Sequence, residues 1–317
     1  MIRLVTQLWS AWDKFWFGER SLLNLAIFRI VLCLTLGVLY LTRSRDVVLY
    51  FTDQGILPRA LALDVYVDFS RPPFLLTFWA DSWTVAVHWV LVVGTFALAL
   101  GLGGRVVNAL VWFLHLAFLQ RNYAIAFGAD LIGGLLLFLM IGTQSCARLS
   151  VWNWFREKKL GRTPELPVRS DMATGAFYRL LQFQLMAVYA WTGWEKLKGA
   201  SWWDGTALWT VLANPQLAVF EMGWLRHFPL IVAVLTTVTW IFEIYFPVLV
   251  WNPRIRPWLL GFGVCFHLGI GALMALWGFA FVMISPYILF LSEDWFQRLK
   301  MRQNPRLSSI LTIFSRY

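Results

Sequence analysis

The sequence predicts an all-α fold, a bundle of about eight helices that span a membrane. Of its 317 residues, 59% are apolar and only 14% are charged, and the mean hydropathy is +0.64. A soluble domain carries about 25% charged residues. It could not hold 20 Trp and 26 Phe in one core without exposing large apolar patches to water. We therefore expect an integral, multi-pass protein of the inner or plasma membrane.

The chain begins with a segment, 1–21, that predicts an amphipathic helix lying along the membrane surface. Its apolar positions are interrupted by charges and no small-residue cleavage site follows, which is not the pattern of a signal peptide. The next part of the chain, 22–292, predicts the transmembrane domain. A span needs about 20 apolar residues, and eight stretches are candidates: 22–41, 82–104, 105–120, 126–145, 175–197, 229–251, 257–276 and 278–292.

The positive charges predict that both termini face the cytoplasm. With eight spans, 17 of the 27 Lys and Arg residues fall on the cytoplasmic side and 8 on the opposite side, with two inside spans. The cytoplasmic segments then include a hydrophilic linker near 146–174 and a basic tail, 293–317. Two longer loops, near 42–81 and 198–228, are expected on the other side.

The net charge of +10 is thus interpreted as an orientation signal, and membrane lipid rather than nucleic acid is the expected partner. The three cysteines, Cys33, Cys146 and Cys265, lie far apart and form no CxxC pair. Neither a zinc site nor a redox pair is expected from that spacing.

Three ionisable residues lie in the cytoplasmic halves of predicted spans: Arg29, Arg179 and Glu243. Such residues are costly in a membrane, so each needs a partner or a function. At about 1.5 Å per residue, Glu243 lies about 12 Å from the cytoplasmic end of its span, at a level that the two arginines also reach. We expect a structural Arg–Glu pair in this inner half.

A second polar group is expected in the opposite half of the membrane, where Lys196 ends the fifth predicted span. Two interpretations of the lysine stay open: an ammonium that reaches for water at the interface, or a desolvated base in an aromatic pocket. His267 is expected to be a hydrogen-bonded packing residue. The residues predicted to accompany Lys196 are His88, His115, Asn122, Tyr123, Asp130, Gln184, Tyr189, Trp191, Trp194, Trp202 and Trp203.

Several segments together resemble the HTTM family, the membrane domain shared with vitamin K-dependent γ-glutamyl carboxylase. Each block alone is a weak signal, but six occur in the family's order. They are LAIFRIVL at 25–32, YFTDQGILPR at 50–59, RNYAIAFGADLI at 121–132, QLMAVYAWTGWEKLKGASWWDGTAL at 184–208, FEIYFP at 242–247, and CFHLGIG through SPYILFL at 265–291.

The resemblance implies a carbon–carbon lyase that uses a reduced naphthoquinone, like vitamin K or menaquinol, with O2 and CO2 and no metal. It makes Lys196 the base and places the site on the non-cytoplasmic side. Asn122 would then position the substrate oxygen, and His267 would hydrogen-bond within the pocket. The residues expected to surround the quinone are Tyr123, Gln184, Tyr189, Trp191, Trp202 and Trp203.

Two departures from the carboxylase pattern leave an alternative function open. Tyr123 stands where the carboxylase has a functionally important histidine, and Glu195 stands where it has a second lysine. The chain also ends at 317, without the large region that binds the carboxylase's protein substrates, so any protein substrate is unknown. The alternative is a membrane protein that binds a quinone or a lipid without turnover.

Overall fold

The computed structural model describes residues 2–67, 79–160 and 170–292. Within these ranges the chain forms α-helices, short 3-10 helices and turns, and no strand. The predicted basic tail, 293–317, lies outside the described residues, as do 68–78 and 161–169 within the predicted loop and linker. The all-α prediction is confirmed for the described part of the chain.

The chain divides into two compact units, and the boundary falls inside one long helix. The first unit comprises Met1–Leu181 and Leu291–Tyr317, and the second comprises Gln182–Phe290. The helices that begin in the first unit are α1 Ile2–Phe17, α2 Leu22–Arg43, α3 Val47–Phe51, α4 Arg59–Val67, α5 Thr84–Ala99, α6 Gly104–Arg121, α7 Gly128–Ile141, α8 Val151–Lys159 and α9 Met172–Leu197.

The core of the first unit is built on α2, which packs against α5 and α7. Leu25, Phe28, Leu32 and Leu36 recur at helical spacing and are fully buried, so they form one apolar face of that helix. The predicted surface helix, α1, is present and exposes Leu8, Trp9 and Trp12. Its position at a membrane interface stays a prediction.

The second unit continues with α10 Ala200–Trp203, α11 Ala207–Leu212, α12 Pro229–Leu249, α13 Arg256–Met274 and α14 Trp277–Ile284. A 3-10 helix, Ser285–Phe290, follows. Aromatic rings contribute much of its core: Tyr189, Phe246, His267 and Tyr287 are buried and pack against one another.

Each of the eight predicted apolar stretches contains a helix, in order α2, α5, α6, α7, α9, α12, α13 and α14. Among the described residues, four segments are long and apolar enough to cross a membrane: Leu22–Phe51, Asp81–Ala99, Pro229–Leu249 and Arg256–Met274. The total of eight spans and the side of the termini stay predictions.

One of the two predicted loops contains short helices. The segment 198–228 includes α10 and α11, which pack along the first half of α12, and its place outside the membrane stays a prediction. The Leu208 amide donates to the Thr236 hydroxyl at 3.2 Å, and the Trp203 and Trp240 rings lie 5.5 Å apart. Because predicted spans 175–197 and 229–251 end and begin on the same side, the end of α9 is expected beside the first residue of α12. It lies beside the middle of α12 instead.

Candidate functional site

The second half of α9 presents one face to the interior of the second unit. Its residues recur every three or four positions, which places them on one side of a helix. They are Gln182, Leu185, Met186, Tyr189, Gly193 and Lys196. All are buried except Lys196, which is half-buried. The polar members of this face are thus brought into contact with α12, α13 and the segment after α14.

Lys196 forms an ion pair with Glu243 of α12. The Lys196 Nζ lies 2.6 Å from Glu243 Oε2, and the side chains are 19% and 8% exposed. The half-buried Trp202 also lies against the ammonium, with its ring centre 5.1 Å from Nζ. A lysine that only reached for water would not need a carboxylate partner that is 8% exposed, so the ion pair favours the partly desolvated interpretation of Lys196.

Gly193 allows this pair to form. A Cβ atom at Gly193 would lie 2.8 Å from the Ile244 side chain, 3.1 Å from the Ile244 nitrogen and 3.3 Å from the Glu243 carbonyl carbon. Since those last two atoms are main chain, they have little freedom to move away. The missing side chain lets α9 and α12 approach closely, and Lys196 follows Gly193 by about one turn, which aligns it with Glu243.

The predicted Arg–Glu pair is wrong, because Glu243 accepts from Lys196. Arg179 donates from Nε to the Phe15 carbonyl at 3.0 Å. Arg29 is fully buried, and its terminal nitrogens donate to main-chain carbonyls, those of Ala99, Ser145, Arg148 and Leu149. Glu243 lies about 21 Å along α12 from its first residue, at 1.5 Å per residue, and the packing of α10 and α11 along that stretch brings the end of α9 to this level.

Three polar aromatic side chains are hydrogen-bonded deeper in the second unit. Tyr189 Oη lies 2.6 Å from His267 Nε2, and the Tyr189 and Tyr287 hydroxyls also share a hydrogen bond. A side chain at Gly263 would collide with the Tyr287 phenol ring, so this glycine admits the ring beside α13. Within the described residues, His267 Nδ1 is buried and has no hydrogen-bond partner.

The first unit contains a separate buried polar cluster. Arg43 donates to both carboxylate oxygens of Asp130, at 2.7 and 2.9 Å. Tyr40 Oη lies 2.6 Å from His115 Nδ1, and His115 Nε2 lies 2.9 Å from the Asp130 carbonyl. These residues line a cavity of about 20 Å³, together with His88 and Asn122, which is room for about one water molecule.

The residues predicted around Lys196 divide between the two units. His88, His115, Asn122 and Asp130 come together in the first unit, whereas Lys196 belongs to the second. Sequence reasoning missed Tyr40, Arg43, Gln182 and Tyr287. The sequence does contain a signal for Tyr287, which lies within the block SPYILFL that resembles the family. It contains no such signal for Arg43, which follows the first apolar stretch and is expected to be a charge of the next loop.

Comparison with known protein families shows the family to which this chain belongs. The sequence pattern of the HTTM domain matches residues 23–295. The chain belongs to the HTTM domain family. This identification confirms the resemblance stated from the sequence, and with the apolar helices it makes the chain a membrane protein.

One curated relative of this HTTM protein is the sporulation-delaying protein SdpB of Bacillus subtilis (strain 168). The two sequences are 26% identical over 172 residues, which cover 52% of this chain and 51% of SdpB. The chain therefore spans about half the length of that relative. No solved structure matches the chain.

The HTTM block that contains Asn122 and Tyr123 has a clear structural role. Asn122 is buried; its Oδ1 accepts from the Ala124 amide at 3.2 Å and its Nδ2 donates to the Tyr50 carbonyl at 2.9 Å. It thereby caps the short 3-10 helix Tyr123–Ile125. The Tyr123 side chain is 37% exposed.

The tryptophans near Lys196 in this HTTM protein occupy different environments. Trp202 lies against the ammonium, whereas Trp191 is exposed, with its ring centre 5.8 Å from Lys198 Nζ. Trp203 is also exposed, and its Nε1 donates to the Leu197 carbonyl at 2.8 Å. Gln184 is half-buried on α9. No group of three or more possible metal ligands occurs among the described residues.

Proposed function

We propose that this HTTM membrane protein is a quinol-dependent, carboxylase-like enzyme in which Lys196 removes a proton from a reduced naphthoquinone. The observation that carries the proposal is the Lys196–Glu243 ion pair, 2.6 Å long and only partly exposed. Lys196 also falls on the position that the resemblance to the carboxylase assigns to the base. When bound, a reduced naphthoquinone supplies, by reaction with O2, the stronger base that removes a γ-proton from glutamate before CO2 adds.

Glu243 gives the lysine a way to act as a base. An amine accepts a proton only in its neutral form, and a general base must lie about 2.6–3.2 Å from the atom that carries the proton it takes. In the proposed mechanism, Lys196 passes its proton along the hydrogen bond to Glu243 Oε2, which leaves a neutral amine. The amine then accepts the phenolic proton of the substrate while Glu243 retains the first one.

Three further side chains of the second unit suit the binding of a reduced naphthoquinone, which has an aromatic ring system and two oxygens. Trp202 offers a ring face beside the Lys196 ammonium on which a quinone can stack. The unpartnered Nδ1 of His267 offers a hydrogen bond, while Tyr189 holds the opposite nitrogen of the same imidazole. Tyr189 is therefore a positioning residue in this proposal.

The proposed site lies within eight spans, with both termini in the cytoplasm and the site opening to the other side. Two observations support this arrangement. Each of the eight apolar stretches contains a helix, and the positive charges are concentrated in the segments assigned to the cytoplasm.

The test is an incubation of the purified protein, in detergent, with reduced menaquinone and oxygen. Epoxide detected by mass spectrometry, above the amount in a protein-free sample and dependent on oxygen, supports the proposal. Epoxide no greater than in the protein-free sample, from a protein with an intact thermal unfolding transition, would exclude it.

A second candidate function is binding of a quinone without turnover. The geometry of Asn122 favours it, because both ends of its amide are engaged by main-chain groups and Tyr123 replaces the histidine of the carboxylase. Quenching of tryptophan fluorescence by oxidised menaquinone that is weaker in Trp202→Phe, together with no epoxide from reduced menaquinone and oxygen, would support this candidate.

A further inference from the structure

The second unit contains an open cavity of about 580 Å³ that the proposed chemistry does not use. It lies between α11, the 3-10 helix Gly223–His227 and the first turn of α12. Its walls are mostly apolar and include Trp209, Leu225, Leu230 and Ala233. Cavities of about 300–1,000 Å³ with apolar walls and a few polar groups are typical of binding sites for small amphiphilic molecules.

Two opposite charges line the same cavity, Asp204 and Arg226. The Asp204 carboxylate accepts from the Thr206 hydroxyl at 2.7 Å and from the Thr206 amide at 3.3 Å, which fixes its direction. Arg226 donates from Nε to His227 Nε2 at 3.1 Å, so the plane of the guanidinium is also held. The cavity thus offers one anionic and one cationic group above an apolar wall.

The rim of the cavity resembles a membrane interface. Trp224, Phe228 and Leu230 are large apolar side chains that are exposed. The exposed Arg226 lies between Trp224 and Phe228 in the sequence, and the exposed Asp204 lines the same cavity as Leu230. Tryptophan with neighbouring charged groups is typical of the level at which lipid headgroups meet the acyl chains. This combination of side chains suits an occupant that comes from the bilayer.

We propose that this cavity binds a zwitterionic phospholipid with a primary amine in its headgroup. Arg226 bonds the phosphate, since the fork of the guanidinium matches two phosphate oxygens, and Asp204 bonds the ammonium. The first part of one acyl chain lies against Trp209 and Leu225. Neither Lys196 nor Glu243 lines the cavity, so this site is independent of the proposed catalysis.

The test is native mass spectrometry of the detergent-purified full chain, titrated separately with phosphatidylethanolamine, phosphatidylcholine and phosphatidylglycerol. Wild type is expected to retain phosphatidylethanolamine about tenfold better than the other two. Asp204→Asn should remove that preference, and Arg226→Gln should weaken retention of all three lipids. Arg254→Gln, which changes an exposed arginine of the same unit, is the matched control and should behave like wild type.

Three results would overturn the assignment. One is an unchanged preference in both Asp204→Asn and Arg226→Gln, with both variants folded by thermal unfolding. Another is equal retention of the three lipids by wild type. The third is retention of soluble phosphoethanolamine as strong as that of the lipid, because it would show that the apolar wall contributes nothing.

Discussion

Lys196 on α9 and Glu243 on α12 lie 2.6 Å apart, at a contact where Gly193 brings the two helices together. The pair joins a residue at the end of one helix to a residue in the middle of another. Neither side chain finds its partner on its own helix, so the pair depends on the packing of the second unit. Both stability and the proposed chemistry therefore respond to changes at this contact.

Removal of the carboxylate is expected to destabilise the protein. Glu243→Gln leaves the Lys196 ammonium largely buried without its charged partner, which costs about 1–3 kcal/mol. The free energy of unfolding, measured in detergent, should fall by about that amount. Glu195→Gln is the matched control: its partner Lys198 is 55% exposed, so the loss should stay below about 1 kcal/mol. Equal losses in the two variants would count against a buried pair.

Addition of one methyl group at Gly193 should separate α9 from α12. Gly193→Ala places a Cβ atom against the main chain of Glu243 and Ile244, and overpacking of this kind costs about 1–3 kcal/mol. Gly261→Ala on α13 is the control, since nothing lies within 4 Å of a Cβ atom there; it should be neutral or stabilise by up to about 1 kcal/mol. Thermal unfolding of both variants checks this, and a neutral Gly193→Ala would refute the close contact.

The Arg43–Asp130 pair is expected to stabilise the first unit. Asp130 is buried and receives two hydrogen bonds from Arg43, so Asp130→Asn should lower the free energy of unfolding by about 1–3 kcal/mol. Glu157→Gln breaks the pair with the exposed Arg156 and should cost less than about 1 kcal/mol. If chemical denaturation gave the same midpoint for Asp130→Asn and wild type, the bidentate pair would have no role in stability.

Asp171 should make stability depend on pH. Its carboxylate accepts from the Thr174 amide at 2.7 Å, at the start of α9, and from Arg105 at 3.0 Å. Burial raises the pKa of Asp171, but the Thr174 hydrogen bonds and the Arg105 guanidinium outweigh burial, so the pKa lies below its ordinary value. A lowered pKa stabilises the fold above the pKa of the unfolded chain, and this stability is lost as the pH falls through the pKa of the folded state.

The variant Asp171→Asn isolates that charge, because asparagine also caps helices. Since the side chain is 40% exposed, the loss at pH 7 should stay below about 1 kcal/mol and should vanish near pH 2. Melting temperatures at the two pH values check this. Asp13→Asn, at an exposed position of α1, should leave the pH dependence as in wild type. A difference for Asp171→Asn that is the same at both pH values would contradict the prediction.

The sequence was sufficient to locate the long apolar helices but not to pair their polar residues. Each apolar stretch contains a helix because about 20 apolar residues carry a strong signal. The partner expected for Glu243 is wrong, although its place along α12 is not. The helices α10 and α11, with only 4 and 6 residues, are too short to be predicted from propensity. Their packing along α12 brings the end of α9, with Lys196, to Glu243.

For the candidate site, too, the sequence predicts which residues share a helix face but not which residues they contact. Spacing along α9 is enough to place Tyr189 and Lys196 on one face. The partners of these residues, His267 and Glu243, come from helices about 50 to 80 positions later in the chain, and periodicity does not reveal which helices meet. Gly193 and Gly263 mark where they meet, but a glycine in a membrane helix has several possible reasons.

The most direct test of Lys196 as a base compares initial rates of menaquinone epoxide formation in wild type, Lys196→Arg and Lys198→Arg. Arginine retains the positive charge beside Glu243 but does not release its proton. We predict a loss of at least about 100-fold for Lys196→Arg, the contribution of a general base, with an unchanged melting temperature and a wild-type rate for Lys198→Arg. Equal epoxide rates in all three proteins would contradict the assignment of Lys196.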